Sequence, residues 1–118
     1  MSHSIALQKS TLFAKRILRL YQCLTKERGE FILSKQILRS GTSIGANLHE
    51  CINAQSRADF VSKMQIALKE ANETDYWLEL FLESEIIDQL MYKSLHDDLN
   101  EIIALLISSI KTTKTKDK

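Results

Sequence analysis

The segment that decides the fold runs from Ile37 to Cys51 and reads ILRSGTSIGANLHEC. Its apolar and small residues recur at alternating steps of four and three, the heptad pattern of a helix that packs against other helices. The residues of this seam are Ile37, Gly41, Ile44, Leu48 and Cys51. Glycine inside a helix costs about 1 kcal/mol relative to alanine. Gly41 and Gly45 therefore predict a place where a neighbouring helix packs closely.

Helical periodicity also dominates the rest of the chain, and no stretch alternates as a β-strand would. The predicted helices cover residues 4–26, 33–52, 57–83 and 88–112, and the tail at 113–118 is expected to be flexible. Connections this short favour antiparallel neighbours. The sequence predicts one all-α domain over residues 1–118, an antiparallel up-down-up-down four-helix bundle.

The third helix carries a second stripe beside its core-facing one. The second stripe comprises Ile66, Glu70, Glu73, Trp77 and Leu80. A helix with two such stripes needs cover on two sides, so the surplus apolar surface on the third and fourth helices predicts a homo-oligomer, with Trp77 as an interface anchor. The alternative is that uneven packing within a monomer covers this surface.

A polar stripe flanks the seam of the second helix and predicts a hydrogen-bond network. Carboxylates within an apolar stripe are costly without partners, and the glycines would let the two helices approach closely enough to supply them. The predicted members, within one subunit or across two, are Arg39, Ser40, Ser43, Asn47, Glu50, Glu70 and Glu73.

Catalytic and metal-binding motifs are weak. Residues 41–45 match the G-x-S-x-G nucleophile pattern, but that chemistry needs a strained turn after a strand, and Ser43 lies within a helical pattern. No Lys-Ser/Thr pair follows Gly45, as a phosphate-binding loop requires. No histidine lies three residues after a glutamate, as in di-iron bundles. We expect no enzyme activity, cofactor, metal or small-molecule substrate.

Charge is distributed unevenly along the 118 residues. Residues 1–58 carry nine Lys/Arg against three Glu, residues 59–110 carry three Lys against eleven acids, and the tail adds four Lys and one Asp. One interpretation is complementary helix faces with a solvated tail; the other is a basic surface for nucleic acid. The candidate nucleic-acid contacts, helped by the lysine tail, are Lys9, Lys15, Arg16 and Arg19.

Localisation follows from cysteine use and from the length of the apolar runs. Cys23 and Cys51 form no C-x-x-C pair and suggest no disulfide framework. The longest apolar run, residues 102–107, is far shorter than the roughly 20 residues of a membrane span. We expect a cytoplasmic protein without a membrane partner.

The polar stripe and its surroundings resemble a known family. Arg39-Ser40, Ser43-Ile44, Asn47-Leu48 and Glu50 are similar to the R-S-x-x-S-I-x-x-N-I-x-E-G signature of the 23S rRNA-intervening-sequence proteins, which are small four-helix bundles. Residues 67–78 resemble that family's second block. Cys51 stands where the family often has glycine, which concerns the turn between helices two and three.

The resemblance implies a left-handed antiparallel bundle, commonly assembled as a ring-shaped homopentamer. It also implies a kinship with the accessory variability determinant proteins of diversity-generating retroelements, which work with a reverse transcriptase and bind nucleic acid through a basic surface. We therefore expect a non-enzymatic oligomeric protein that binds RNA or a reverse-transcriptase-like partner. The alternative is a protein-interaction scaffold that docks a partner helix without nucleic acid.

Overall fold

A computed structural model describes residues 2–115, with side chains from residue 5 onward. The four helices are α1 (Ser2–Arg28), α2 (Ile32–Cys51), α3 (Arg57–Glu83) and α4 (Gln89–Thr115). Within residues 2–115 there is no β-strand, so this part of the chain is all-α, as expected for a four-helix bundle. None of these helices is both long and apolar enough to cross a bilayer.

The last helix is longer than the sequence predicts. Residues 113–115 of the expected flexible tail are helical, and residues 116–118 lie outside the described part of the chain. The Thr113 hydroxyl donates to the Ser109 carbonyl oxygen at 2.8 Å, and the Thr115 hydroxyl donates to that of Lys111 at 2.8 Å. Lys114 in the last turn complements the negative end of the helix dipole. These local interactions support helix in a segment whose composition suggests a coil.

Each helix packs against two others. α1 and α3 both contact α2 and α4, which closes the arrangement around one core in a molecule 51 Å long. Along the α1–α4 contact, Lys9 meets Glu101 and Arg16 meets Asp98. Arg28, at the end of α1, donates to the Ile86 carbonyl oxygen at 2.8 Å. Residue numbers on α4 therefore fall as those on α1 rise.

The predicted seam of α2 lies in the core. All five of its residues are buried, and Ser34, Ser40 and Gly45 are buried beside them. A Cβ atom on Gly41 would lie 3.0 Å from both γ carbons of Ile17 on α1. One on Gly45 would lie 3.6 Å from the Ser10 Cβ, an ordinary van der Waals contact. Of the two glycines, Gly41 is therefore the one at which an added methyl group would require the Ile17 side chain to move.

Side chains close the helix ends. The Glu30 carboxylate accepts from the backbone N–H of Leu33 at 2.6 Å and of Ser34 at 3.2 Å, which caps α2. Ser56 caps α3 by accepting from the Asp59 N–H at 3.0 Å, and Asp88 caps α4 in the same way. These caps satisfy N–H groups that have no partner inside the helix.

Candidate functional site

The centre of the predicted polar network is Arg39, which joins α2 to α3. Its guanidinium donates to both carboxylate oxygens of Glu70, at 3.1 and 3.2 Å, and to Oε2 of Glu73. The Trp77 indole N–H donates to the same Glu73 oxygen at 3.1 Å. The structure thus brings together two carboxylates, one guanidinium and one indole at the outer edge of the α2–α3 contact.

Electrostatics in this cluster follow from the hydrogen bonds. The bond from Arg39, followed by that from Trp77, holds the pKa of the Glu73 carboxyl below its usual value. The bond to Glu73 in turn raises the pKa of Arg39. The Arg39 side chain is 49% exposed, so solvent screens these attractions and they contribute little to stability. Through the shared Glu73 oxygen, the cluster also links the Trp77 indole to Arg39.

A second polar contact lies deeper in the same helix pair. The hydroxyls of Ser40 and Thr74, both fully buried, lie 2.9 Å apart. The Thr74 hydroxyl also lies 2.8 Å from the Glu70 carbonyl oxygen. Thr74 is a member of this contact that sequence reasoning missed, because its position in the apolar heptad stripe of α3 indicates core packing.

Besides Ser40, three predicted members do not join the Arg39 cluster. Ser43 donates to the Arg39 carbonyl oxygen at 2.6 Å, and Asn47 donates to the Ser43 carbonyl oxygen at 2.8 Å. Short polar side chains on a helix readily reach the carbonyl one turn earlier, so these two bonds stay within α2. Glu50 lies near the end of α2 and pairs with Lys63 at 3.0 Å. Within one chain, these three side chains therefore do not connect to the Arg39 cluster, and a network across two subunits stays a prediction.

The second stripe of α3 is only partly covered within the chain. Ile66 is 41% exposed and the neighbouring Tyr76 is 58% exposed. Trp77 is half-buried and meets the Tyr76 ring edge-on, with the centroids 5.1 Å apart. Ile66 lies about 15 Å from the Tyr76–Trp77 pair along the axis of α3, with Glu70 and Glu73 between them in sequence. Each is a separate apolar area that another protein surface could cover.

The four candidate nucleic-acid contacts fall into two pairs. Lys9 binds Glu101 at 3.1 Å, and Arg16 binds Asp98 at 2.7 Å, so both face α4. Lys15 and Arg19 are exposed and have no ion-pair partner within residues 2–115. Pairing inside the chain therefore weakens the prediction for Lys9 and Arg16 and leaves Lys15 and Arg19 available.

The two cysteine thiols have low reactivity. Burial, and next the nearby Asp59, raise the pKa of the Cys51 thiol to about 11. The hydrogen bond to Glu27 raises the pKa of the exposed Cys23 thiol. Both cysteines are therefore protonated thiols at neutral pH and poor nucleophiles. In the part of the chain with described side chains, no group of three or more His, Cys, Asp or Glu is placed to hold a metal ion.

Four helices packed around one core place the described part of the chain in the class of small all-α bundle proteins. The chain belongs to the 23S rRNA-intervening sequence protein family, whose model matches residues 2–108. It is similar to the crystal structure of a protein of unknown function from the S23 ribosomal protein family of Bacteroides thetaiotaomicron. The two are 57% identical, the match covers 94% of this chain and 99% of that one, and the TM-score is 0.92. No curated protein matches the chain.

Proposed function

We propose that this protein is a non-enzymatic, oligomeric scaffold that binds RNA through α1. The observation that carries the proposal is the exposure of Lys15 and Arg19 on a helix with no acidic residue before Glu27. Unpaired cations attract phosphates and release counterions on binding. The two unpaired cysteine thiols fit a cytoplasmic location. A reverse-transcriptase-like partner, which the family resemblance implies, would act on the RNA so bound.

The proposed scaffold is an antiparallel up-down-up-down bundle that assembles into a ring-shaped homo-oligomer. The opposed residue order along the α1–α4 and α2–α3 contacts supports the antiparallel arrangement. The exposed Ile66, and separately the exposed Tyr76 next to the half-buried Trp77, support self-association through α3. Five subunits is the number that the family resemblance implies.

Two measurements on the purified full chain test this function. Light scattering should give a mass several times the 13.5 kDa of one chain, and Trp77→Ala should shift that mass toward the monomer. Fluorescence anisotropy with labelled RNA should show binding at about 50 mM KCl that weakens steeply with added salt. Absence of binding at low salt, or binding that salt does not change, would contradict the RNA role.

A second candidate is a protein-interaction scaffold that docks a partner helix without nucleic acid. The observation that favours it is the exposure of two separate apolar side chains on α3, Ile66 and Tyr76, since amphipathic helices bind apolar surfaces through residues spaced three and four apart. Two results together would favour this candidate over the first. The protein would be monomeric and bind no RNA, and it would bind an amphipathic helical peptide saturably, with Trp77→Ala abolishing that binding.

A further inference from the structure

The solvent-facing side of α1 carries a stripe of cations and amides, which we call the outer stripe. Its members are the exposed residues Gln8, Lys15, Arg19, Gln22 and Lys26. At about 1.5 Å of rise per residue, Lys15 and Arg19 are about 6 Å apart along the axis, and Arg19 and Lys26 are about 10 Å apart. The outer stripe therefore presents three charges at fixed intervals on one rigid helix.

These three cations are the ones that α1 leaves free. Lys15, Arg19 and Lys26 form no ion pair within the described residues, whereas Lys9 and Arg16 are paired with α4. Their helix contains no aspartate or glutamate before residue 27. An anionic ligand along the outer stripe would thus meet no like charge from α1 itself over most of its length.

The outer stripe lacks the aromatic side chains on which unpaired bases stack. The exposed aromatic residues among those with described side chains are Phe31 and Tyr76. Phe31 lies beyond the end of α1, beside Gly29, and Tyr76 lies on α3, which packs beside α2 and α4 rather than beside α1. Proteins that bind single strands without sequence preference rely on such stacking in addition to charge.

We propose that the outer stripe of α1 binds double-stranded nucleic acid through its phosphate backbone, without stacking on or reading the bases. This inference rests on the proposed RNA-binding function and specifies its ligand. A rigid helix with cations at fixed spacing suits a duplex, whose phosphates are held at fixed positions. Contacts to phosphate position a protein but carry no sequence information, so binding is independent of sequence.

The test compares an RNA duplex of about 20 base pairs with each of its separated strands, by fluorescence anisotropy on the full chain from about 50 to about 300 mM KCl. We expect the duplex to bind more tightly than either strand. The triple variant Lys15→Gln/Arg19→Gln/Lys26→Gln should weaken duplex binding at least about tenfold. The slope of log affinity against log salt should decrease in magnitude by about 1 for each phosphate that the variant no longer neutralises.

Two variants serve as matched controls. Lys69→Gln removes an exposed lysine from α3, and Phe31→Ala removes the exposed ring nearest the outer stripe. Neither substitution should change duplex affinity more than about twofold, because neither removes a cation from α1. Thermal melting followed by circular dichroism verifies that each variant is folded at the temperature of the binding measurement.

The outcomes separate the two proposals. If neither the duplex nor the strands bind at the lowest salt concentration, the RNA-binding function itself is wrong. If the strands bind more tightly than the duplex, or if Phe31→Ala abolishes binding, the duplex assignment is overturned while RNA binding stands. If phosphatidylserine vesicles bind and nucleic acid does not, the ligand is a membrane surface and both proposals are overturned.

Discussion

Gly41 of α2 lies directly against Ile17 of α1, and no side chain larger than hydrogen fits between them without movement. A Cβ atom on Gly41 would approach both γ carbons of Ile17 to 3.0 Å, closer than side-chain carbons normally pack. Ile17 is fully buried, and its β-branched side chain has few alternative rotamers. The α1–α2 distance is therefore set at this pair.

Gly41→Ala should destabilise the bundle although alanine is the better helix former. Overpacking a core costs about 1–3 kcal/mol, which exceeds the gain of about 1 kcal/mol in helix propensity. Gly45→Ala is the matched control, because its new methyl group would make ordinary contacts with Ser10; it should raise stability by up to about 1 kcal/mol. Urea unfolding of both variants measures the difference. Equal effects would show that the close approach at Gly41 does not set the helix distance.

Ser40→Ala should cost about 1–2 kcal/mol, because it removes a buried hydrogen-bond partner of Thr74. The double variant Ser40→Ala/Thr74→Val should recover much of that stability, since replacing both partners with apolar groups of similar shape can be nearly neutral. A double-mutant cycle by chemical denaturation gives the coupling. Strict additivity of the two single changes would mean that the hydroxyl pair contributes nothing specific.

The fold was predictable because burial follows the apolar period. All five seam residues from Ile37 to Cys51 are buried, and the four helices lie where their heptads place them. The hydrophobic period alone shows which residues share one face of a helix, and the apolar faces of the helices are sufficient to define the core of a bundle. The end of α4 was less predictable, because side-chain bonds of Thr113 and Thr115 extend the helix into a lysine-rich segment.

The candidate site was predictable only in part, because the helix face on which a side chain lies does not specify the residue that it contacts. Arg39 could be matched to Glu70 because long charged side chains on facing stripes reach each other. Ser43 is too short to cross and bonds its own helix instead. The pairing of Lys9 and Arg16 with α4 depends on the register between the first and last helices, which no local pattern encodes.

Glu85→Gly should stabilise the protein. Glu85 has φ of 60° in the turn between α3 and α4, and it is the only non-glycine residue with positive φ among those described. This conformation costs an L-residue about 1–2 kcal/mol, and glycine adopts it without that cost. The Arg28 bond at 3.1 Å goes to the Glu85 backbone carbonyl, so the substitution leaves it in place.

Gly29→Ala, in the turn between α1 and α2, is the reverse control for this substitution, because Gly29 has φ of +62°. It should lower the melting temperature while Glu85→Gly raises it. A fall in melting temperature for Glu85→Gly, measured by differential scanning calorimetry, would indicate that the Glu85 side chain makes a stabilising contact that outweighs its backbone strain.

Glu73→Gln should have a small effect that depends on pH in a defined direction. Arg39, then Trp77, holds the pKa of Glu73 below its usual value, so its contribution to stability is complete above the usual glutamate value of about 4.3 and disappears as pH falls through the lower folded-state value. The Glu73 side chain is 36% exposed, which limits the effect to a few tenths of a kcal/mol. The urea midpoints of wild type and Glu73→Gln should therefore differ at about pH 7 and converge toward about pH 3.

Glu83→Gln is the control, because it removes an exposed carboxylate that has no ion-pair partner among the described residues. It should show no such convergence. If the difference in urea midpoint between wild type and Glu73→Gln instead increased as the pH was lowered, Arg39 would not favour the ionised carboxylate of Glu73.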